Sequence, residues 1–327
     1  MMIIYHNYLI SYMEEQVQQT QFPKGVYTVL VTPFHSDESV DYESIVNWVD
    51  AQRYSNVVGL VLLGTTSESP TLTREEQFKI VKRVWKRVTS FTNPKFVVAG
   101  VGGNNTQETL DFARLLTSQK LCDGLMVTVP SYNKPTQRGI YEHFMKICSH
   151  SDVRGFPVIM YNIPGRTGVN MEPKTIRDIT QACDNVVAIK EASGSIDQLV
   201  EIMSSVPTLQ VFAGDDKLVL DVMAHGGCGV ISVASNVIPN LMSRLVSLCA
   251  NNDFSAARSL YYESKLPNFI RLLFCETNPI PVKYMLYCTG LYPNYVMRLP
   301  MTQLSENRRD EVLVVTEIKA FELHNIA

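Results

Sequence analysis

Eight short apolar runs recur along the chain, and they constrain its fold more than any other feature of the sequence. Each run ends at turn residues and is followed by a helical pattern, which is typical of βα units that feed a parallel sheet. The runs are continuously apolar, as expected for strands that helices cover on both faces. They occupy residues 26–32, 57–63, 95–101, 124–129, 157–161, 186–190, 209–213 and 229–233.

Capping signals mark the helices between these runs. Thr73 and Glu76 have the spacing of a capping box, and the apolar residues that follow fall on one helical face. Asn105 and Glu108 begin the next helix with the same spacing. Eight such units with short connections favour a closed (β/α)₈ TIM barrel, although their number alone leaves a doubly wound open sheet possible.

After about residue 236 the strand runs stop, and mostly helical patterns continue to the end of the chain. We therefore divide the sequence into an N-terminal extension of unknown role (1–22), a barrel (23–250) and a C-terminal helical region packed on the barrel (251–327). The composition, 46% hydrophobic and 19% charged in 327 residues, is that of a globular protein able to bury a large core.

Charge and the N-terminal sequence exclude several classes of function. The formal net charge of −3 gives no electrostatic footprint for nucleic acid. No apolar run approaches the ~20 residues that a membrane span needs. The apolar stretch 1–9 has no basic segment and is followed by Glu14 and Glu15. We therefore expect no signal peptide, a cytoplasmic location and a small molecule or another protein as partner.

Cysteines and histidines give no metal-binding pattern. The seven cysteines are widely spaced without a Cys-x-x-Cys pair, and the six histidines lack the helical i, i+4 spacing of a ligand pair. The sequence therefore predicts neither a disulfide framework nor a zinc site.

Lys190 is the outstanding reactive group, because it ends the sixth run, Val-Val-Ala-Ile-Lys. In a barrel the functional groups lie at the carboxyl ends of the strands. Four apolar neighbours would desolvate an ammonium group and favour the free amine, which attacks a ketone and becomes an imine. The alternative is an ordinary strand-end lysine that pairs with Glu191 or extends its ammonium group to solvent.

Tyr161 ends the fifth run, and the same rule points its phenol into the barrel mouth. A phenol both donates and accepts, so it could carry protons between carbinolamine, imine and enamine. A core tyrosine with a capped hydroxyl is the alternative. Arg166 follows in the same loop, where its guanidinium suits a carboxylate unless it is only a solvated surface arginine.

Two further loops follow strand runs with polar groups. The segment Gly64-Thr-Thr-Ser-Glu-Ser69 offers hydroxyls and backbone N–H groups that could hold a carboxylate, although such residues often only stabilise turns. The segment Pro130-Ser-Tyr-Asn-Lys-Pro135 offers a second phenol, or an ordinary turn. The glycines of 100–103 lack a nucleotide-binding pattern and indicate a tight βα turn.

Together these segments resemble the dihydrodipicolinate synthase and N-acetylneuraminate lyase superfamily. The resemblance covers roughly residues 24–305, and five ordered motifs at strand ends are far more specific than any one of them. The motifs are Gly64-Thr-Thr-Ser-Glu-Ser69, Tyr132-Asn-Lys-Pro135, Tyr161-Asn-Ile-Pro-Gly-Arg-Thr-Gly168, Ala188-Ile-Lys-Glu-Ala-Ser-Gly194 and Gly214-Asp-Asp216. Three segments continue the series: Gly229-Val-Ile-Ser-Val233, Asn278-Pro-Ile-Pro-Val-Lys283 and Arg298-Leu-Pro-Met-Thr302.

The resemblance implies a role for each matching residue. Lys190 would form the imine with pyruvate, and no other cofactor would be needed. Tyr161, Thr66 and Tyr132 would relay protons, with Tyr132 contributed by the neighbouring subunit of a tight dimer. Thr65, together with Thr66, would hold the pyruvate carboxylate.

Three more positions complete the implied site. Gly214 and the backbone of Ile231 would line the pocket. Arg166 favours the synthase branch, in which that arginine meets the carboxylate of L-aspartate-4-semialdehyde. The implied reaction condenses this aldehyde with pyruvate to 4-hydroxy-tetrahydrodipicolinate on the route to lysine, in a dimer of dimers.

The sequence departs from the superfamily pattern at several positions. Ser67 stands where a second glycine is usual, which would add strain if that position needs a positive φ. Ser131 replaces the first of two usual tyrosines, an aromatic that packs across the dimer interface and beside the lysine feedback site. Pro70, Arg74 and Gln77 do not match the histidine-bearing pattern of lysine-inhibited relatives, so feedback inhibition is not predicted.

Two other functions remain open from the sequence. The first keeps the imine chemistry but changes the second substrate, giving an aldolase or lyase that cleaves N-acetylneuraminate or a 2-keto-3-deoxy sugar acid. The second is a non-catalytic barrel, against which the intact set of Lys190, Tyr161, Tyr132 and Thr66 argues.

Overall fold

A closed barrel of eight parallel strands forms the centre of the computed structural model, which describes residues 22–316. Consecutive strands are hydrogen-bonded neighbours, and β8 pairs back with β1. The strands are β1 (Gly25–Val29), β2 (Gly59–Leu62), β3 (Phe96–Gly100), β4 (Gly124–Thr128), β5 (Val158–Asn162), β6 (Val186–Glu191), β7 (Gln210–Ala213) and β8 (Gly229–Ser232). Each predicted run overlaps one strand, with ends that differ by a few residues, so the predicted (β/α)₈ fold is confirmed.

Helices surround the barrel and continue beyond it. Those that follow the strands are α1 (Tyr42–Arg53), α2 (Arg74–Val88), α3 (Thr106–Ser118), α4 (Gln137–Cys148), α5 (Pro164–Thr167), α6 (Pro173–Ala182), α7 (Ile196–Ser205), α8 (Val219–Ala224) and α9 (Pro239–Ala250). The C-terminal layer consists of α10 (Phe254–Glu263), α11 (Leu266–Leu273), α12 (Ile280–Cys288) and α13 (Glu306–Thr316).

The two predicted capping signals differ in detail. At α2 the Thr73 hydroxyl accepts from the Glu76 N–H and the Glu76 carboxylate accepts from the Thr73 N–H, which completes a capping box. At α3 the Asn105 side chain accepts from the first-turn N–H groups, including that of Glu108. The Glu108 carboxylate instead accepts from the Asn105 side-chain amide. Asparagine, unlike threonine, has N–H groups of its own that compete for this carboxylate.

Aromatic rings fill the amino-terminal end of the barrel, which we call the floor. Phe22 stacks on Tyr27 with ring centres 4.8 Å apart, and it meets Phe96 and Phe212 edge-on at 5.2 and 5.3 Å. Phe22, which we grouped with the extension, is buried in this interior cluster. Residues 1–21 of the predicted extension and 317–327 of the C-terminal region lie outside the described residues.

The C-terminal layer lies over the opposite end of the barrel. The buried Tyr292 hydroxyl donates to the carbonyl of Val31, just beyond β1. The buried ammonium of Lys283, in α12, pairs with Glu68 of the loop that follows β2. Burial raises the pKa of Glu68 and lowers that of Lys283 to about 8, so desolvation outweighs the attraction between the two charges. The layer is thereby fastened to the loops at the barrel mouth.

Membrane-spanning helices and metal-binding clusters are both absent from residues 22–316. No helix within 22–316 is long and apolar enough to cross a membrane. Over the same range, no group of three or more His, Cys, Asp or Glu side chains is placed to hold a metal ion. The seven cysteines are free thiols.

Candidate active site

Lys190 and Tyr161 are direct neighbours inside the barrel. The register of β5 against β6 pairs the two residues. Both side chains are buried, and Lys190 Nζ lies 4.3 Å from the centre of the Tyr161 ring. The ammonium or amine of Lys190 is therefore held against an aromatic face, out of bulk water.

Glu191 does not pair with Lys190, so the ordinary alternative of a Lys190–Glu191 ion pair is wrong. Successive residues of a strand point to opposite faces, which turns Glu191 away from the barrel interior. Its carboxylate accepts from the Ser193 N–H at 2.6 Å, from Asn162 Nδ2 at 3.0 Å and from Gln198 Nε2 at 3.2 Å. Lys190 forms no ion pair with any residue in the range 22–316.

The loop after β2 brings the predicted threonines to the mouth of the barrel. Thr65 and Thr66 begin a single 3₁₀ turn, Thr65–Ser67. Thr66 is buried, whereas Thr65 faces the cavity described below. Gly64 comes so close to Val29 that a Cβ there would lie 2.8 Å from a Val29 methyl group, which explains why a glycine begins the turn.

Ser67 carries no backbone strain, because the positive φ angles of this loop fall on its neighbours Leu63 (57°) and Glu68 (53°). The Ser67 hydroxyl donates to the Leu30 carbonyl at 2.6 Å, and the Ser67 carbonyl accepts from the Thr32 hydroxyl at 2.7 Å. The serine that departs from the family pattern therefore fastens the loop to the segment after β1.

Arg166 lies in the one-turn helix α5, immediately after β5. Its side chain is exposed, and Nη2 donates to the Asn278 carbonyl at 3.2 Å. No carboxylate among residues 22–316 pairs with it, so its guanidinium fork can meet an external carboxylate. Asn278 also donates from Nδ2 to Thr66 Oγ1 at 3.1 Å.

A cavity of about 550 Å³ opens at this mouth. Its lining includes Gly64, Thr65, Thr128, Ile163 and Arg166. Lys190 and Tyr161 are not in the lining, and both are buried near their strand ends. Ile163 connects the cavity to the barrel interior, since it lines the cavity and packs against the interior cluster that contains Tyr161.

The outer part of the same cavity has the residues that depart from the family pattern. Arg74 stacks over Phe112 with 4.1 Å from guanidinium carbon to ring centre, and donates to Gln77 Oε1 at 2.8 Å. The Ser131 N–H and hydroxyl both meet Asn104 Oδ1, at 2.8 and 2.9 Å. The outer part of the cavity therefore carries the positive charge of Arg74, whose guanidinium is held by stacking on Phe112.

Gly214 and Ile231 lie at the ends of β7 and β8. The Gly214 N–H donates to the Glu191 carbonyl at 2.8 Å, and a Cβ at this position would lie 2.6 Å from the Ala192 Cβ. Only glycine permits that approach. Ile231 is buried in the barrel interior.

Tyr132 lies on the surface of this chain, apart from the buried pair of Lys190 and Tyr161. It follows β4 with a φ of 58°, and 87% of its side chain is exposed. A tyrosine so exposed cannot relay protons to a buried amine of the same chain in this arrangement. Its placement accords with the implied role of serving a neighbouring subunit.

Three residues at the mouth were not assigned roles from the sequence. Asn278 and Lys283 are far from any strand run, although both occur in a segment that carries the resemblance. Asp216 is buried, and its Oδ2 accepts from the N–H groups of Val233 and Ala234, so it fixes the loop after β8. Burial raises the pKa of Asp216. In the sequence, the place of Asp216 in Gly214-Asp-Asp216, directly after the seventh run, is the feature that could have identified it.

The sequence matches the model of the dihydrodipicolinate synthetase family over residues 22–319. It is 41% identical over 286 residues to the 4-hydroxy-tetrahydrodipicolinate synthase of Endomicrobium trichonymphae, an alignment that covers 87% of this chain and 94% of that enzyme. It is 38% identical over 301 residues to the 4-hydroxy-tetrahydrodipicolinate synthase of Campylobacter curvus, covering 91% of this chain and 98% of that enzyme.

Solved structures give the same similarity. The crystal structure of dihydrodipicolinate synthase from Aquifex aeolicus superposes with a TM-score of 0.85 at 37% identity, covering 92% of this chain and 98% of that chain. The crystal structure of dihydrodipicolinate synthase from Thermotoga maritima gives a TM-score of 0.85 at 36% identity, covering 92% and 99%.

Proposed function

This chain belongs to the dihydrodipicolinate synthetase family, and we propose that Lys190 is the amine with which it condenses pyruvate and L-aspartate-4-semialdehyde to 4-hydroxy-tetrahydrodipicolinate. The observation that carries the assignment is the burial of Lys190 against Tyr161, with the neighbouring carboxylate of Glu191 turned away. The enzyme is thus a Schiff-base lyase of lysine biosynthesis.

The first half of the reaction uses pyruvate alone. The Lys190 amine adds to the pyruvate carbonyl, and loss of water from the carbinolamine gives an imine. Loss of a methyl proton then gives an enamine. The imine itself supplies the electron sink, so this chemistry needs no dissociable cofactor. Tyr161 is adjacent to the nitrogen and carries the protons, while Thr65 and Thr66 hold the carboxylate with hydroxyl and backbone groups.

The second half adds the aldehyde. The enamine carbon attacks the aldehyde of L-aspartate-4-semialdehyde, and the amino group of that substrate displaces Lys190 as it closes the ring. Arg166 takes the carboxylate of this substrate, because its guanidinium faces the cavity without an acidic partner within residues 22–316. Gly214 and Ile231 line the inner pocket, and Tyr132 reaches it from a neighbouring subunit of a homo-oligomer.

Trapping with borohydride tests the assignment of Lys190. We expect pyruvate and borohydride together to add the mass of pyruvate, less water and plus two hydrogens, on the peptide that contains Lys190. Lys190→Ala abolishes the adduct, whereas Lys146→Ala, which changes an exposed lysine of α4, keeps it. A wild-type protein that gains no mass would refute the imine mechanism.

Substrate assays separate the synthase from the lyase alternative. The synthase consumes pyruvate only when L-aspartate-4-semialdehyde is present. An enzyme of the alternative kind instead releases pyruvate from N-acetylneuraminate or 2-keto-3-deoxygluconate. Activity in the cleavage assays alone would overturn the choice of the second substrate and leave the role of Lys190 intact.

A further inference from the structure

Side chains on the outer face of the barrel join the ends of β5 and β6. The register that pairs Tyr161 with Lys190 also pairs Asn162 with Glu191. Because side chains alternate along a strand, the first pair points into the barrel and the second pair points out of it. Asn162 Nδ2 donates to Glu191 Oε2 at 3.0 Å, and both residues are buried. We call this hydrogen bond the outer clamp.

The outer clamp belongs to a network that supplies partners to both of its members. Asn170 Oδ1 accepts from Asn162 Nδ2 at 2.8 Å and from Gln198 Nε2 at 3.2 Å. Asn162 Oδ1 accepts from the Met171 N–H at 3.0 Å. The Glu191 carboxylate accepts from three donors and pairs with no cation among residues 22–316. Hydrogen bonds therefore compensate for the burial of this acidic group.

The outer clamp bears on the register of the two strands. The ladder between β5 and β6 is irregular after the first residue of β5, so the register at the start of the strands does not continue to their ends. A slip of one residue would turn Lys190 out of the barrel and Glu191 into it. The clamp forms when Glu191 lies opposite Asn162, which is the same register that places Lys190 opposite Tyr161.

We propose that Glu191 is a positioning residue, whose hydrogen bond to Asn162 holds the Lys190 amine against Tyr161. The proposal rests on the proposed function, in which Tyr161 carries protons to and from the imine of Lys190. Glu191 does not touch the reacting atoms, and its effect reaches them through the two strand ends. A network that only stabilised the fold would affect unfolding without a specific effect on proton transfer.

Two substitutions exchange the donor and the acceptor of the outer clamp. Glu191→Gln keeps the size of the side chain but turns one acceptor oxygen into an –NH₂ group, so that donor faces another donor, from Asn162 or from the Ser193 N–H. Asn162→Asp alone places two carboxyl groups in contact. When the two substitutions are combined, the new amide at position 191 can donate to the new carboxylate at position 162, and the strand ends are joined again.

The readout is the exchange of pyruvate methyl protons for deuterium in D₂O, followed by NMR with the intact enzyme, which needs Lys190 and Tyr161 but no second substrate. We expect Glu191→Gln and Asn162→Asp each to slow exchange about 10- to 100-fold, the range that small misplacements of reacting groups reach. The combined variant should recover to within about threefold of wild type, because residues in contact do not act additively. Glu201→Gln, which changes an exposed carboxylate of α7, is the control and should keep the wild-type rate.

A Tyr161→Phe background separates alignment from folding. If Glu191 acts by holding Lys190 against the phenol, Glu191→Gln has no proton carrier left to misalign in that background and should slow exchange less than about twofold. Three results would overturn the positioning role while the proposed function stands. They are a wild-type rate in Glu191→Gln, an equal loss in both backgrounds, and a combined variant no faster than the single ones.

Urea unfolding shows whether each variant is folded at the temperature of the exchange measurement. If Glu191→Gln does not fold, Asn162→Ser shortens the other side of the outer clamp and is compared in the same two backgrounds, with the same expected losses. Wild-type enzyme that exchanges no protons and gives no borohydride adduct would instead refute the proposed function.

Discussion

At the scale of single residues, environment separates groups that are adjacent in the sequence. Lys190 and Glu191 differ by one position, yet one is enclosed by the barrel and the other is bonded to α7 and to the end of β5. The two-residue period of a strand is the cause. Lys190 is therefore without a carboxylate partner among residues 22–316, whereas the Glu191 carboxylate accepts from Ser193, Asn162 and Gln198.

The Glu76–Arg298 pair gives a prediction about acid stability. Arg298 donates two hydrogen bonds to the Glu76 carboxylate, at 2.6 and 2.8 Å. These bonds are the main cause that lowers the pKa of Glu76 to about 2. A carboxylate with a depressed pKa contributes stability above its unfolded value of 4.5, and loses it as the pH falls through about 2. We expect Glu76→Gln to lower the free energy of unfolding by about 2 kcal/mol at pH 7, allowing for partial exposure.

Urea unfolding of both proteins at one concentration measures the difference. The gap between wild type and Glu76→Gln should narrow steadily as the pH falls from 4.5 toward 2. Glu75→Gln, which changes the exposed neighbour in α2, should differ little from wild type at either pH. A gap at pH 3 as wide as that at pH 7 would rule out the linkage.

Residue-scale prediction from sequence worked where a local rule applied. Lys190 and Tyr161 end apolar runs, and the strand-end rule predicts from the sequence alone that both point into the barrel mouth. Asn278 follows no run, and its partner Thr66 is 212 positions away. Only the path of the folded chain brings these two together, so no local pattern could have paired them.

At the scale of elements, the loop after β2 is attached to two other parts of the chain. Its 3₁₀ turn is tied to the segment after β1 by the two hydrogen bonds of Ser67, and to the C-terminal layer through Glu68. The glycine pattern of the family suggested strain at Ser67. The strain is absent because the left-handed residues are Leu63 and Glu68, a detail of backbone angles that residue identity alone does not fix.

Ser67 substitutions test this loop. Ser67→Ala removes the buried bond to the Leu30 carbonyl and should cost about 1–3 kcal/mol of unfolding free energy. Ser67→Gly should cost roughly 1 kcal/mol more, because glycine adds freedom to the unfolded chain. Both should raise KM for pyruvate several-fold by loosening Thr65 and Thr66.

Urea midpoints and pyruvate kinetics give the measurement. Ser118→Ala, on the exposed side of α3, serves as the control and should stay within about 0.5 kcal/mol of wild type. If Ser67→Gly were more stable than wild type, the hydrogen bonds of Ser67 would not stabilise the loop, and the prediction would be contradicted.

At the scale of the whole molecule, the exposed Tyr132 predicts that sites are shared between subunits. Lys190→Ala and Tyr132→Phe should each be nearly inactive alone. When the two are unfolded, mixed equally and reassembled, about half of the dimers are hybrids, and one of the two sites in each hybrid has an intact lysine and an intact tyrosine from the other chain. Activity should recover to about a quarter of the wild-type value.

A matched control uses Tyr161, which contacts Lys190 within one chain. A site of Tyr161→Phe mixed with Lys190→Ala always lacks one of the two groups, so this mixture should recover nothing. If reassembly is verified and neither mixture recovers activity, then Tyr132 acts within its own subunit or takes no part in the reaction.

The aromatic floor has a consequence for traffic through the barrel. Phe22, Tyr27, Phe96 and Phe212 close the amino-terminal end, so within residues 22–316 the interior is reached from the opposite end, the mouth. The opening lined by Thr65 and Arg166 therefore serves pyruvate, the aldehyde, the released water and the cyclic product. Pyruvate must enter before the aldehyde covers it, and the product must leave before the next pyruvate arrives. Because entry and release share this mouth, a product that leaves slowly also delays the next pyruvate, whatever the rates of the chemical steps.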